Sequence, residues 1–258
     1  MGKRQHREHL TPLGDVIGLP PGKSILPPTK SDLIPYECPI CRDLYFVHPH
    51  REDGKVDYSH VVPCECSKER RRREKLQAMI RMCELPPNTE HMTFESFKVG
   101  PGLEEAYEAA LALAEDRATS SWLTLYCDVN RGKTHLLIAA CRRQLAQGKP
   151  ARYAYVPTLL DELRSGYRHE GNSSYENRFD FFKNVPLLAL DDLGTEHRTE
   201  WVQERLDTII DHRLMHGLAL MVNTNLPIDK LNFRIANRLR RNGKVIFVDA
   251  PEFEWREQ

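Results

Sequence analysis

The sequence predicts an α/β protein: a parallel sheet covered by helices on both faces, preceded by a small cysteine-bearing segment. Three observations carry this. From about residue 101 onward, helical and strand-like patterns alternate, as they do where helices cross between parallel strands. The runs "LLAL" (187–190) and "LALMV" (218–222) are continuously apolar, as central strands buried on two sides are. Four of the seven cysteines fall in two close pairs ahead of that alternation.

Residues 1–36 are polar and rich in Pro and Gly. They read as a flexible, poorly packed arm with room for a short docking segment. Residues 37–85 hold the paired cysteines and a basic helix opening with "KERRRREK" (68–75). Residues 86–258 form the α/β domain. It begins with a proline-marked connector, "ELPPNTEHMTFESF" (84–97). "GLEEAYEAALALAEDR" is helical by period and propensity. "WLTLY" is a short strand, and "KTHLLIAACRRQLAQG" is a helix closed by Gly148. "ARYAYV" is a strand, and Pro157 sits in the first turn of the helix after it. "YENRFDFFKN" is a further helix, and "VPLLALDDLG" is a buried strand with acids at its end. "TEWVQERLDTIIDHRLMHG" spaces its apolar residues helically before the strand "LALMVNTNLP". A short basic helix, "RIANRLRRNG", and the strand "KVIFVD" complete the series.

Composition excludes little. Lys and Arg total 37 against 37 Asp and Glu, so only local charge clusters argue for nucleic acid. No apolar run approaches the roughly 18 residues of a membrane span, and "MGKRQHREHL" lacks the apolar stretch of a secretory signal. An odd cysteine count and no export signal point to a reducing, cytoplasmic setting with metal ligation rather than disulfides.

The stretch "YCDVNRGKT" (126–134) lies between a strand and a helix. A phosphate-binding loop has this context: backbone N–H groups and the helix dipole face the phosphates. Asn130, Arg131, Gly132, Lys133, Thr134 and His135 would line it. Lys133 would reach the β- and γ-phosphates, and the Thr134 hydroxyl would serve Mg²⁺. Cys127 stands where the full pattern has its first glycine. A Cβ there would crowd the turn or the phosphate approach. Alone, "GKT" is as well read as a surface turn. "LLALDDLG" supplies the second element, with Asp191 and Asp192 just past a buried strand, where ligands bind in such sheets. Asp191 would hold Mg²⁺ through water, and Asp192 would orient or activate the attacking water. The polar pair Thr224 and Asn225, past another apolar strand, is a third element within reach of the γ-phosphate.

"RGKTHLLIAA", "LLALDDLG", "WVQERLDTIIDHRL", "VNTNLP" and "RIANRL", in this order, resemble the DnaC/DnaI-type helicase loaders, P-loop AAA+ ATPases related to the transposition helper IstB. The resemblance covers about residues 87–248. It implies ATP and Mg²⁺ as ligands, a replicative helicase as partner, and self-assembly in the ATP state. Lys133 and Thr134 then match the Walker A pair, and Asp191 and Asp192 the Walker B pair, with Asp for the commoner Glu. Asn225 matches the sensor 1 residue. Arg238 matches the arginine finger, with Arg234 in reserve. Asn130 replaces a second family glycine, and Asn is the best non-glycine residue for positive φ. After Val248 only ten residues follow, too few for a three-helix lid. The lid arginine is therefore expected to be missing and a neighbour's arginine to matter more.

Cys38 and Cys41 form C-x2-C, and Cys64 and Cys66 form C-x-C. Four thiolates suit a closed, structural Zn²⁺ site. The second pair is one residue tighter than a standard knuckle, so His48, His50 and His60 remain substitute ligands. The run "KERRRREK" is read either as a contact for single-stranded DNA phosphates or as a solvated helix face. The leading reading is an ATP-dependent loader of a replicative helicase with slow hydrolysis. A transposition helper and a zinc-bearing adaptor whose turnover Cys127 has disabled are the alternatives.

Overall fold

The computed structural model describes residues 10–12, 36–168, 172–197 and 199–252. The rest of the predicted arm, residues 1–9 and 13–35, lies outside the described residues. The chain divides into two compact units, Met1–Lys75 and Leu76–Gln258.

In the first unit, β1 (Leu10–Pro12), β2 (Phe46–Pro49) and β3 (Val62–Pro63) form an antiparallel sheet in that order. Leu10 pairs with Pro49 and Phe46 with Pro63. Three residues of the predicted arm are thus a strand. The helix α1 (Glu65–Cys83) begins in this unit and contains the whole basic run.

The second unit has five parallel strands: β4 (Trp122–Tyr126), β5 (Ala151–Tyr155), β6 (Leu187–Asp191), β7 (Ala219–Thr224) and β8 (Lys244–Phe247). Their order is β5-β6-β7-β4-β8. Among the described residues six α-helices accompany them: α2 (Glu104–Ala114), α3 (Lys133–Ala146), α4 (Val156–Arg168), α5 (Asn172–Asn184), α6 (Glu200–Met215) and α7 (Phe233–Asn242). Local chemistry sets their ends. Glu104 and Glu105 occupy the first turn of α2, where the helix dipole favours acids. Thr199 caps α6 by accepting from the Val202 N–H, and Asn232 caps α7 by accepting from the Arg234 N–H.

Alternate strand residues face opposite sides, and two cores result. Leu123, Leu125, Tyr153, Leu187, Ala189 and Met221 pack in one cluster with α2 and α3. Trp122, Ala154, Leu188, Leu190, Leu220 and Val222 pack in the other with α4 to α7. Arg213 of α6 is fully buried beside the second core and donates to the carbonyls of Phe182, Lys183, Pro186 and Ala219. Burial pulls its pKa down to about 9, so it stays charged at neutrality. It ties the end of α5 to the starts of β6 and β7. Among the described residues no helix is long and apolar enough to cross a membrane.

Candidate functional site

The strand order builds the site. β7 lies between β4 and β6, so three adjacent strand ends deliver the loop, the polar pair and the acids to one edge.

The loop after β4 turns through Asn130 at φ 58° and Gly132 at φ 81°, and α3 starts at Lys133. Asn130 therefore takes the left-handed conformation its side chain tolerates. Gly132 is required twice over: its φ is left-handed, and a Cβ would lie 2.9 Å from the Phe97 ring. Cys127 differs. It is not among the residues of positive φ, and its side chain is buried in the core with Leu125 and Leu137. Its sulfur also lies 3.3 Å from the Asp128 carbonyl, at the base of the loop. Burial raises the Cys127 thiol pKa, an effect the Lys133 charge partly offsets.

Lys133 is nearly fully buried. Its ammonium donates to the carbonyls of Cys127 and Asp128 at 2.9 and 2.7 Å and approaches the Cys127 sulfur at 3.3 Å. The half-buried Arg131 keeps a buried Nε with no hydrogen-bond partner among the described residues. An unmatched cationic donor beside a positive helix end fits an anionic phosphate. The Asn130 amide donates to Glu252 at 2.9 Å. The imidazole of His135 turns the other way: Nε2 lies 2.9 Å from the Thr93 carbonyl and the ring packs edge-on against Phe97. It fastens the connector to α3, and only its backbone belongs to the loop.

The acids sit across from the loop. Thr134 donates to Asp191 Oδ1 at 3.2 Å, and the Tyr153 hydroxyl donates to Asp191 Oδ2. Burial raises the Asp191 pKa, opposed by these donors and by Asn223. Burial, then the Asp191 charge, holds the Tyr153 phenol far above its ordinary range, so it remains a donor. Asp192 adopts φ 62°. Its N–H donates to Asn223 Oδ1 at 2.6 Å, and its Oδ1 accepts from Asn225 at 2.6 Å. Asn223 also donates to Thr134 at 3.4 Å. Lys133, Thr134, Asp191, Asp192 and Asn225 are thus brought together. Thr224 is buried in β7, and its hydroxyl accepts from the Leu226 N–H. Tyr153 and Asn223 were missed by sequence reasoning. The only signals were a polar residue inside "LALMVNT" and a tyrosine facing the same way as Tyr155.

Arg238 stands apart from this group, on α7. It is paired with Asp207 and Asp211 of α6. Arg234 is 65 % exposed, with Asp207 at 3.6 Å.

In the first unit the sulfurs of Cys38, Cys41, Cys64 and Cys66 all lie within 4.8 Å of one another. Cys38 and Cys64 are 3.8 Å apart, and Cys41 and Cys66 3.3 Å. Four sulfurs each about 2.3 Å from a tetrahedral Zn²⁺ would be separated by about 3.8 Å, so the set fits that ion. The tight C-x-C spacing works because Cys64 precedes α1 and Cys66 lies in its first turn. Burial raises the Cys38 thiol pKa, but the N–H groups of Cys41 and Ile40 outweigh it and bring the value down to about 7. The histidines kept as substitutes are engaged elsewhere. His48 bonds the His60 carbonyl, His50 the Gly54 carbonyl, and His60 the Ser59 hydroxyl.

Strand order and loop define a P-loop domain of AAA+ architecture. A family model described as the bacterial DnaA ATPase domain matches residues 88–253. The chain belongs to this family. The chromosomal replication initiator DnaA of Thermomicrobium roseum is 31 % identical over 185 residues, covering 67 % of this chain and 39 % of the relative. The replicative helicase loader DnaI of Bacillus subtilis is 26 % identical over 140 residues, covering 50 % of this chain and 44 % of the relative. The chain therefore spans less than half the length of these curated relatives. A crystal structure of the DnaC helicase loader shares the fold, with TM-score 0.56 and 16 % identity, covering 64 % of this chain and 100 % of that one.

Proposed function

We propose that this protein is an ATP-dependent loader of a replicative helicase. One observation carries the ATP-dependent part of the reading: Asp191, Thr134, Asn223, Asp192 and Asn225 are hydrogen-bonded in series beside the phosphate loop. Phosphoryl transfer needs little more than positioned charge, and this series holds two carboxylates at fixed positions. Bound Mg²⁺ would neutralise charge on the phosphates from Thr134 and Asp191. The backbone from Asn130 to His135, with Arg131 and Lys133, would bind the triphosphate. Asp192, oriented by Asn225, would hold the attacking water and take its proton. Arg238 would serve the nucleotide of a neighbouring copy, making turnover slow until copies assemble.

The four-cysteine set supports a structural Zn²⁺ module in the first unit, and its presence ahead of the ATPase domain favours a loader over a transposition helper. Arg71 and Arg72 of α1 are exposed and would be offered to single-stranded DNA phosphates, whereas Arg70 is paired with Glu74 and lies over the Tyr45 ring. The burial of Cys127 among core residues and its ordinary backbone conformation favour turnover over the adaptor reading.

The test is Mg·ATP binding and turnover by the full chain, with Lys133→Ala as control, and coexpression with a replicative helicase and with a transposase. Saturable binding lost in the control, and capture of the helicase, are expected. Capture of the transposase alone would defeat the loader reading. Helicase capture without ATP affinity would return the adaptor.

A further inference from the structure

We propose that Asp207 and Asp211 form a counter-ion latch that stores Arg238 within the single subunit and releases it only to the phosphates of a neighbour. The inference rests on the trans-arginine reading above and adds how that arginine is regulated.

Asp207 and Asp211 are four residues apart on α6 and so share one face of it. Arg238 faces them from α7. Its Nη2 donates to Asp211 Oδ2 at 2.7 Å, its Nε pairs with Asp211 Oδ1, and its Nη1 donates to Asp207 Oδ1 at 3.3 Å. The guanidinium fork is therefore bidentate on one carboxylate and capped by the second. All three of its nitrogens are engaged inside the chain. The side chains of Arg238 and Asp207 are only 18 and 14 % exposed. An arginine so held presents little charge to a partner.

The same geometry makes the latch exchangeable. A planar guanidinium fork accepts carboxylate and phosphate oxygens alike, so a neighbour's triphosphate is a chemically matched competitor. Breaking a buried ion pair is costly when it strands a charge, and this cluster avoids that. Arg234, one turn earlier on α7, already lies 3.6 Å from Asp207 and can keep it paired. Asp211 is the more exposed acid, at 35 %, and is left facing solvent. Phe233, at the start of α7, is 79 % exposed and supplies an apolar anchor beside the arginines for a second copy.

The latch predicts effects of opposite sign from its two halves. Mg·ATP-dependent self-association, by sedimentation, and ATP turnover are measured against protein concentration. The chains are the parent, Asp211→Asn, Asp207→Asn and Arg238→Ala, each with its melting temperature. Asp211→Asn is expected to lower the half-saturating protein concentration about fivefold, the factor equivalent to losing one partly exposed ion pair. Asp207→Asn should act in the same direction, and Arg238→Ala should abolish the concentration-dependent turnover. Both Asn variants reducing assembly and turnover as Arg238→Ala does, or leaving both unchanged, would overturn the latch. A separate mixture tests the underlying reading. A Lys133→Ala chain carries an intact Arg238 and should restore turnover at the site of an Arg238→Ala chain. Failure of that rescue removes the trans-arginine role; rescue with no gain from the Asn variants removes the latch alone.

Discussion

In the first unit the buried apolar cluster is Cys38, Cys41, Val47 and Cys64, so three of its four members are thiols. In the second unit two large aliphatic and aromatic clusters cover opposite faces of one sheet. Among its described residues the first unit buries little hydrocarbon beyond Val47, with Ile40 and Val62 partly buried, and a small core of this kind leaves little to offset chain entropy. On the proposed reading, a Zn²⁺ ion shared by the four sulfurs supplies much of its folding free energy. The second unit is stabilised by hydrocarbon and can place polar groups where a reaction needs them. One unit gathers its cysteines into a single cluster, while the other uses Cys83, Cys127 and Cys141 as buried apolar side chains.

The largest expected effect breaks the comparison at its root. Stripping Zn²⁺ with a chelator, or making Cys41→Ser, should remove on the order of 10 kcal/mol from the first unit. Amide exchange between residues 36 and 63 should become fast while β4 to β8 stay protected. Equal loss of protection in both units would show one cooperative core. Arg213→Ala is the counterpart in the second unit. It removes the shared donor of four carbonyls, of which Pro186 keeps the Ala219 N–H, and should cost about 3 kcal/mol, read as a fall in the melting transition of β4 to β8 alone.

Within the second unit, Gly132→Ala should leave circular dichroism unchanged and weaken ATP binding by about tenfold or more, because φ 81° and the Phe97 ring both oppose a Cβ. Calorimetric titration measures this. Cys127→Gly, which restores the full loop pattern, should change ATP affinity by less than about twofold and lower stability by about 1 kcal/mol through lost burial and added chain freedom. A large gain in affinity would show that the cysteine does obstruct the loop.

The smallest effect is one of pH. Burial lowers the His135 pKa below its ordinary value, so the unfolded chain binds the extra proton first. Its contribution is complete above the unfolded value of about 6.5 and is lost as pH falls below it. Exchange of the amides near Thr93 should rise in that window, and His135→Gln should flatten the response.

Most elements of the second unit were legible because strand and helix periods differ. "WLTLY" spans β4, and "LLALD" spans β6. The three-residue β1 was not legible, since a strand so short has no period. Asp191, Asp192 and Asn225 were readable as strand-end polar residues. Tyr153 and Asn223 were not, because each acts across a strand border. Nothing in "ARYAY" says that β5 lies beside β6, where Tyr153 meets Asp191.

The sequence by itself determined the α/β alternation, the phosphate loop, the paired acids and the four cysteines. Each is a local pattern of side chains on one segment, and local patterns survive without knowledge of what lies opposite. Tertiary structure decided the rest. It turned Cys127 into the core, sent the His135 ring to the connector, drew four sulfurs from two distant pairs to one point, and set Arg238 between two carboxylates. Those outcomes depend on which strand or helix becomes the neighbour, and only packing, summed over the whole chain, fixes that choice.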